Sequence, residues 1–396
     1  MATLIVVEDL AAPATIARGG QTMFLLQYLR GLERLGHRVL FVEFLQEDPG
    51  KDRTTAVRYF HECVEAWWHP EWAALVVEPT GESLCGPGTR QLARFAREAA
   101  ALITLSAHYR ATPYPFLGDV RPRILVDSDP GYTHLWAAEE DDPARIFGEH
   151  DLYFTVGRNI GTPRCSLPTC GIRWKSTWNP VVLDMWPTGS AVTRDRFTTI
   201  ADWRGYGYLE FEGQILGPKA EEFRKFIKLP RLAGEEVEIS ILIDPDDPDV
   251  AYLRKQGWRL ESTSLVASPA LYRDYVAGSL GEFSCAKGGY VGTRCGWFSD
   301  RSSYYLACGR PVVVQDTAFE AVLPTGKGLF SVRTPEEAAE AIKAVRRDYA
   351  AHSAAARAVA REHFDSDKVL SRLLAEAGIT TPGRGRNRAR RRSITR

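Results

Sequence analysis

The sequence predicts an α/β protein with two Rossmann-like domains that face each other across a cleft, and with a C-terminal helix packing back. Strand-like and helix-like segments alternate along most of the chain, as in parallel sheets covered by helices. At 396 residues the chain is too long for one ordinary core. A Gly- and Pro-rich passage near the middle separates two stretches of similar length. We therefore expect domains at 1–190 and 191–375, followed by a basic tail at 376–396.

The composition is that of a globular protein without an overall preference for polyanions. Hydrophobic residues make up 44% and charged residues 25% of the chain, and 50 basic residues balance 50 acidic ones. Seven Arg and no acidic residue lie within 381–396, so the remainder carries a net charge of −7. We expect this tail to be disordered. Salt-sensitive contact of the tail with DNA or anionic lipid is the alternative.

Targeting and metal-binding signals are not apparent, and we expect a cytoplasmic monomer or homodimer without stable membrane insertion. The apolar opening at 4–7 has only the length of a strand and lacks a basic leader. No run of about 18 apolar residues predicts a membrane-spanning helix. The 7 cysteines have no framework spacing. The closest pair, Cys165 and Cys170, has no second Cys/His pair to complete a metal site.

The first half opens with a βαβ unit. A buried strand is predicted at 3–7, an amphipathic helix at 22–35 and a second strand at 38–44. The turn Gly19-Gly20-Gln21 precedes the helix, where glycine allows close backbone approach and free N–H groups attract anions. The alternative is a turn that only changes the chain direction. Further strands are predicted at 75–78, 102–106, 123–127 and 152–156, and further helices at 54–72 and 88–100.

Polar side chains follow the fourth and fifth predicted strands of this half. The carboxyl ends of parallel strands border the ligand crevice of open α/β sheets. His108 after the fourth strand, and Asp129 and His134 after the fifth, are therefore candidates for a catalytic base. Asp and Pro-Gly also favour plain turns, so a structural turn at 127–131 remains the alternative.

The passage at 155–187 is rich in Gly, Pro and Trp. It is too irregular for packed secondary structure and too aromatic for disorder, which suits a binding loop and an interdomain connection. Trp faces stack on sugar rings and Arg binds anions. Arg173 and Trp174 are therefore candidate ligand contacts.

The second half repeats the alternation of strands and helices. Thr334 and Pro335 suit the N-cap and the first position of a helix. Lys219 and Lys287 each follow a predicted strand and are candidate anion ligands. Strands are predicted at 197–200, 237–243, 260–261, 283–286 and 311–314, and helices at 220–226, 249–256, 269–277, 334–345 and 348–374.

The stretch at 290–316 predicts a Gly-rich loop, a short helix, a tight Gly-Arg-Pro turn and a buried strand. Ser299, Asp300, Arg301 and Ser302 lie at the start of that helix. Their side chains suit an N-cap, which would satisfy the free N–H groups of the first turn. The same N–H groups can instead hold a phosphate, and both alternatives stay open.

Two segments resemble GT-B glycosyltransferases of the family 1/4 group. LIVVED…GGQTMFLLQYLRGLERLGHRVLFVEF is similar to their first βαβ unit, and YLACGRPVVVQDTAFEAVLPTGKGLFSVRTPEEAAEAI is similar to a segment of their donor domain. The resemblance implies the GT-B fold and transfer of a sugar from a nucleoside diphosphate sugar, linked to UDP or dTDP. The acceptor would be a hydroxyl of a small molecule or glycan. No metal and no further cofactor is implied.

The resemblance also assigns residues to the two substrates. The glycine pair matches the loop that closes over the donor phosphates, and the helix start at 299–302 matches the part that holds the diphosphate and ribose. Arg173 and Trp174 become candidate acceptor contacts in the first domain. The donor-binding candidates are Gly19, Gly20, Gln21, Lys219, Lys287, Trp297, Ser299, Asp300, Arg301 and Ser302.

The sequence departs from the resemblance at the expected ribose ligand. Many retaining relatives carry two glutamates eight positions apart, and the corresponding residues here are Gly296 and Tyr304. Asp300 is the nearby candidate for this role. Inverting transfer would need a general base and retaining transfer would not, so the stereochemistry stays open. The alternative functions are a non-catalytic nucleotide-sugar-binding protein, and transfer to a nucleic-acid or lipid acceptor docked by the tail.

Overall fold

The structure of the protein is a computed structural model that describes residues 1–12, 15–46, 53–78, 80–106 and 116–381. His108 and nearly all of the Arg-rich tail lie outside these described residues. Within them, no helix is both long and apolar enough to cross a membrane.

Eight strands from the first 176 residues form the first sheet. They are β1 (Thr3–Val7), β2 (Arg38–Gln46), β3 (Ala73–Glu78), β4 (Ser83–Cys85), β5 (Ala99–Thr104), β6 (Arg123–Asp127), β7 (Leu152–Thr155) and β8 (Trp174–Ser176). Their order is β4-β3-β2-β1-β5-β6-β7-β8, and neighbours are parallel apart from the antiparallel pair β3–β4. Every residue of β1 and β6 is buried, as expected for central strands of a sheet covered on both faces.

The second half forms a six-stranded parallel sheet and a small hairpin. The strands are β9 (Arg194–Asp202), β10 (Leu209–Phe211), β11 (Gln214–Leu216), β12 (Val237–Leu242), β13 (Trp258–Ser262), β14 (Ser279–Ser284), β15 (Val312–Gln315) and β16 (Leu329–Val332). The sheet order is β13-β12-β9-β14-β15-β16, and β10 pairs with β11 in the hairpin. The expected boundary at residue 190 lies between the two sheets.

Helices connect the strands and cover the sheets. They are α1 (Gly19–Arg34), α2 (Thr54–Trp67), α3 (Thr89–Glu98), α4 (Pro130–Glu139), α5 (Ala144–Phe147), α6 (Lys219–Lys225), α7 (Leu229–Ala233), α8 (Pro248–Lys255), α9 (Pro269–Gly278), α10 (Gly288–Thr293), α11 (Asp300–Ala307), α12 (Pro335–Arg347), α13 (Tyr349–Val359) and α14 (Ser366–Glu376). As predicted, the Thr334 side chain caps α12, where it accepts a hydrogen bond from the backbone N–H of Glu337.

The C-terminal helix packs back on the first half of the chain. Leu370, Leu373 and Leu374 of α14 are buried in the core that includes Leu25 and Leu29 of α1. The two helices approach closely at Gly31 of α1, where a Cβ would lie 2.4 Å from Leu370 Cδ1. The predicted α/β fold, with two Rossmann-like halves and a C-terminal helix that packs back, is therefore confirmed.

Some predicted elements were wrong, each for a physical reason. The alternative of a structural turn at 127–131 is wrong for its last part, because Asp129 is the N-cap of α4 and Pro130 is the first residue of this helix. The passage at 155–187 contains β8, a short edge strand held by pairing with β7. The long helix expected at 348–374 is interrupted after a π-turn at Ala360–Phe364, where Phe364 O accepts a hydrogen bond from Val181 N at 2.7 Å.

Candidate active site

Residues from both halves line an open cleft with a volume of about 220 Å³. The carboxyl ends of strands from both sheets border it, where open α/β sheets bind their ligands. The first half contributes Gln21, Phe24, Ser128, Asp129 and Asn179. The second half contributes Lys219, Lys287, Tyr290, Trp297, Ser299, Asp300 and Arg301.

The two halves touch beside this cleft through a pair of glycines. A Cβ at Gly131 of α4 would lie 2.5 Å from the Tyr290 ring, and a Cβ at Gly289 of α10 would lie 2.7 Å from Gly131 O. Asn159 makes a second contact between the halves, since its side-chain amide nitrogen donates hydrogen bonds to Arg294 O and Ala318 O, each at 3.1 Å. The passage at 155–187 therefore does connect the halves, as expected.

The N-terminus of α11 opens onto the cleft. Ser299 is the N-cap residue, and its side chain makes no hydrogen bond to the helix backbone. The first helical bond runs from Ser303 N to Ser299 O. Among the described residues, no carbonyl accepts from the preceding N–H groups of Asp300, Arg301 and Ser302. The Arg301 N–H also faces the Asp300 carboxyl. These N–H groups and the positive end of the helix dipole favour negative charge at the start of α11.

The Arg301 side chain is turned from this helix toward the sheet. Its guanidinium donates from Nε to Glu282 Oε1 at 2.6 Å, from Nη2 to Ser284 Oγ at 2.7 Å and from Nη1 to Ile200 O at 3.0 Å. Burial opposes the charged form, but the attraction of Glu282 outweighs it, so the pKa of Arg301 is raised. The guanidinium thus anchors α11 to β9 and β14.

Lys219 is a buried lysine, and the Glu282 and Asp300 carboxylates attract its ammonium without contacting it directly. It is the first residue of α6 and is 8% exposed, and its ammonium has no hydrogen-bond or ion-pair partner among the described residues. Burial lowers the pKa of Lys219 to about 7, and repulsion by Arg301 and Lys287 acts in the same direction. A buried ammonium in this state gains most from an anionic ligand.

Lys287 and Asp129 form an ion pair between the two halves. Lys287 Nζ lies 3.3 Å from Asp129 Oδ2, and it also lies 3.4 Å from the centre of the Tyr206 ring. Burial lowers the pKa of Lys287, and the Asp129 carboxylate opposes this effect. Of the two predicted bases that the structure describes, Asp129 is the one that reaches the cleft.

His134 does not reach the cleft. Its side chain is fully buried, with Nδ1 2.7 Å from Pro168 O and Nε2 3.4 Å from Asp127 Oδ2. The ring packs against Phe147 and Trp174. These contacts of His134 hold α4 in place against the segments that carry Phe147, Pro168 and Trp174.

The structure also keeps Arg173 and Trp174 away from the cleft. Trp174 lies on the edge strand β8, where its ring packs against His134 and Phe147 and its Nε1 donates to Thr169 O at 3.1 Å. Arg173 is exposed beside it. Neither residue is among those that line the cleft.

The first turn of α1 consists of Gly19, Gly20 and Gln21. The two glycines contact the second half, and Gln21 lines the cleft. A Cβ at Gly19 would lie 2.4 Å from Ser268 O, and a Cβ at Gly20 would lie 2.8 Å from the Tyr272 ring. Because the two glycines have no side chain, α1 can pack closely against the second half. Gln21 lines the cleft, and its Nε2 lies 3.5 Å from Glu8 Oε1.

Several cleft residues were missed from the sequence. Asn179 lies beside Tyr28, whose hydroxyl donates to Asn179 Oδ1 at 3.3 Å. Tyr290 stacks on Trp297 with ring centres 4.2 Å apart and planes 8° apart. Ser302, a predicted donor contact, is buried and lines a small neighbouring cavity rather than the cleft. Ser128 directly precedes the predicted Asp129 in the chain, whereas no local pattern identifies Phe24 or Asn179.

Comparison with solved structures places this geometry in a known fold. The sequence matches no protein-family model and no curated protein. HepE from Anabaena, in complex with UDP and glucose, is 15% identical and superposes with a TM-score of 0.59 over 96% of this chain and 100% of that chain. An alpha-glucosyltransferase, AGT, in complex with UDP is 13% identical, with a TM-score of 0.55 over 96% and 100%. AviGT4, a glycosyltransferase involved in avilamycin A biosynthesis, is 14% identical, with a TM-score of 0.52 over 96% and 97%.

The chain therefore has the GT-B fold of glycosyltransferases, as the sequence resemblance implied. Within the described part of the chain, no group of three or more His, Cys, Asp and Glu side chains is arranged to hold a metal ion.

Proposed function

We propose that the protein is a glycosyltransferase that transfers a hexosyl or deoxysugar group from a nucleoside diphosphate sugar to an acceptor hydroxyl. The observation that carries this proposal is the unpaired, buried Lys219 at the same cleft as the free N-terminus of α11. The GT-B fold supports it, because this fold occurs in HepE and AGT, both solved with UDP. On the same grounds we favour UDP over dTDP as the nucleotide.

The leaving nucleoside diphosphate would bind to the second half of the chain. Its growing negative charge needs preorganised donors, and the N–H groups at the start of α11 and the Lys219 ammonium supply them. Asp300 lies at the same helix start, and burial raises the pKa of its carboxyl, although Arg301 opposes this. A carboxyl there suits the ribose hydroxyls better than the phosphates. No bound metal is required for this charge stabilisation.

The acceptor would bind against the first half. Gln21, Ser128 and Asn179 offer hydrogen bonds, and Phe24 offers an apolar face. If transfer inverts the anomeric centre, Asp129 is the group at the cleft that can take the proton of the acceptor hydroxyl. If transfer retains it, Asp129 orients that hydroxyl. The cytoplasm, where nucleotide sugars are available, is the proposed location.

Release of UDP from UDP-glucose tests this function. We expect slow release without an acceptor and faster release with a suitable glycan acceptor, because water is a poor substitute for a positioned hydroxyl. Release would be followed by a coupled UDP assay, with ADP-glucose and GDP-mannose as donor controls. If the protein binds a UDP-sugar but releases no UDP with any acceptor, the alternative of a non-catalytic binding protein is favoured. If none of UDP, dTDP, GDP and ADP raises the melting temperature, the proposal is wrong.

A further inference from the structure

Two residues with separate expected roles are bound to each other across the cleft. Lys287 was predicted as a donor ligand and Asp129 as the acceptor base, yet Lys287 Nζ lies 3.3 Å from Asp129 Oδ2. Both side chains are largely buried, with 15% and 16% of their surfaces exposed. In this state neither group is available for the substrate that it would serve.

Aromatic rings enclose the same ammonium. Lys287 Nζ lies 3.4 Å from the ring centre of Tyr206, 5.0 Å from that of Tyr132 and 5.6 Å from that of Tyr290. Tyr206 has a left-handed backbone with φ of 73°, and its ring stacks on Trp136 of the first half, with centres 5.4 Å apart. Cation–π contact stabilises the ammonium without neutralising its charge. Among the described residues, Asp129 is the one carboxylate that is hydrogen-bonded to Lys287.

A diphosphate competes directly with Asp129 for this ammonium. It carries at least two negative charges, it would bind beside Lys219 in the same cleft, and charge-assisted hydrogen bonds to phosphate are strong. Asp129 Oδ1 is already buried without a hydrogen-bond partner. When the ammonium leaves, the Tyr206 hydroxyl is the polar group that remains beside the carboxylate, and a further hydroxyl donor is then the ligand that the carboxylate needs.

We infer that the Asp129–Lys287 ion pair is exchanged when the donor binds. Lys287 moves from Asp129 to the donor diphosphate, and the freed Asp129 carboxylate accepts a hydrogen bond from the acceptor hydroxyl. The donor must therefore bind before the acceptor. This inference rests on the proposed function, because it assumes that a nucleoside diphosphate occupies the cleft.

The exchange predicts an unusual gain of affinity. Asp129→Asn removes the competing carboxylate with little change of shape, so we expect it to bind UDP three- to tenfold more tightly, as measured by calorimetry. Lys287→Met should bind UDP at least tenfold more weakly. In the Lys287→Met background, Asp129→Asn should have no further effect on UDP affinity, because the competition requires the ammonium.

The variants distinguish an exchange of the ion pair from simple repulsion between Asp129 and UDP. An equal gain from Asp129→Asn with and without Lys287 would mean that the carboxylate only repels UDP, and would overturn the exchange. No gain, in a variant with the wild-type melting temperature, would also overturn it. In the wild type, acceptor binding should be detectable only with UDP present, and acceptor binding without UDP would contradict the order. A wild type that binds none of UDP, dTDP, GDP and ADP would instead refute the proposed function itself.

Discussion

Replacing Lys219 by Met is expected to weaken UDP binding by about 3 kcal/mol, or roughly a hundredfold. Lys219 is 8% exposed and has no direct partner among the described residues, so a bound diphosphate would provide a direct counterion. The same substitution should leave the unliganded protein at least as stable as the wild type. Methionine has a similar length, and it removes a desolvated ammonium that Glu282 and Asp300 compensate only from a distance.

Calorimetric titration with UDP, together with thermal unfolding without ligand, measures both effects. Lys228→Met is the matched control, because Lys228 is an exposed lysine nine positions further along the chain. The control should change neither quantity. Wild-type UDP affinity in a Lys219→Met variant would contradict the placement of the diphosphate beside α6.

The lowered pKa of Lys219 adds a proton-linked readout to the same titration. With a pKa of about 7, most of this lysine is neutral in the free protein at pH 8. Because UDP favours the ammonium form, wild-type binding should take up close to one proton at this pH, and UDP affinity should fall as the pH rises above 7. Titrations in buffers of different ionisation enthalpy detect this uptake, which should be absent in Lys219→Met.

Replacing Arg301 by Met is expected to destabilise the protein by about 3–5 kcal/mol. The Arg301 guanidinium is bound to Glu282, which is fully buried, and to Ser284 and Ile200. Without the guanidinium, the Glu282 carboxylate stays buried and loses its direct ion pair, and only the more distant Lys219 ammonium attracts it. Glu282→Gln in the Arg301→Met background should recover part of the loss, because it removes that charge.

Urea denaturation of the two variants and of Arg294→Met tests this expectation. Arg294 has 55% of its side chain exposed and forms a 3.7 Å ion pair with Asp316, so its loss should cost no more than about 1 kcal/mol. If Arg301→Met instead kept wild-type stability and lost UDP binding, the guanidinium would be a phosphate ligand rather than an anchor of α11.

Local sequence patterns were sufficient for many elements of the fold, although not for the short strands β4, β8, β10 and β11. The apolar β-branched run at Thr3–Val7 and the run at Arg123–Asp127 form strands with the predicted bounds. The Thr334 cap also depends only on neighbouring residues. The alternation of such elements, together with the length of the chain, indicated two facing sheets, because each amphipathic helix must cover a sheet.

Only those parts of the candidate site that depend on neighbouring residues in the sequence could be predicted. The start of α11 was located from its own sequence. The inward turn of Arg301 depends on Glu282, 19 residues earlier, and the pairing of Asp129 with Lys287 spans 158 residues. His134 was expected beside Asp129, but the helix that begins at Pro130 directs it toward Pro168. These contacts depend on how the halves pack, which no local pattern encodes.

A crystal structure with UDP bound tests most directly whether the cleft holds a nucleoside diphosphate at α11. We predict that the β-phosphate lies within about 3 Å of backbone N–H groups in the first turn of α11 and of Lys219 Nζ. UDP bound elsewhere, or bound with its diphosphate away from α11, would contradict this placement of the donor.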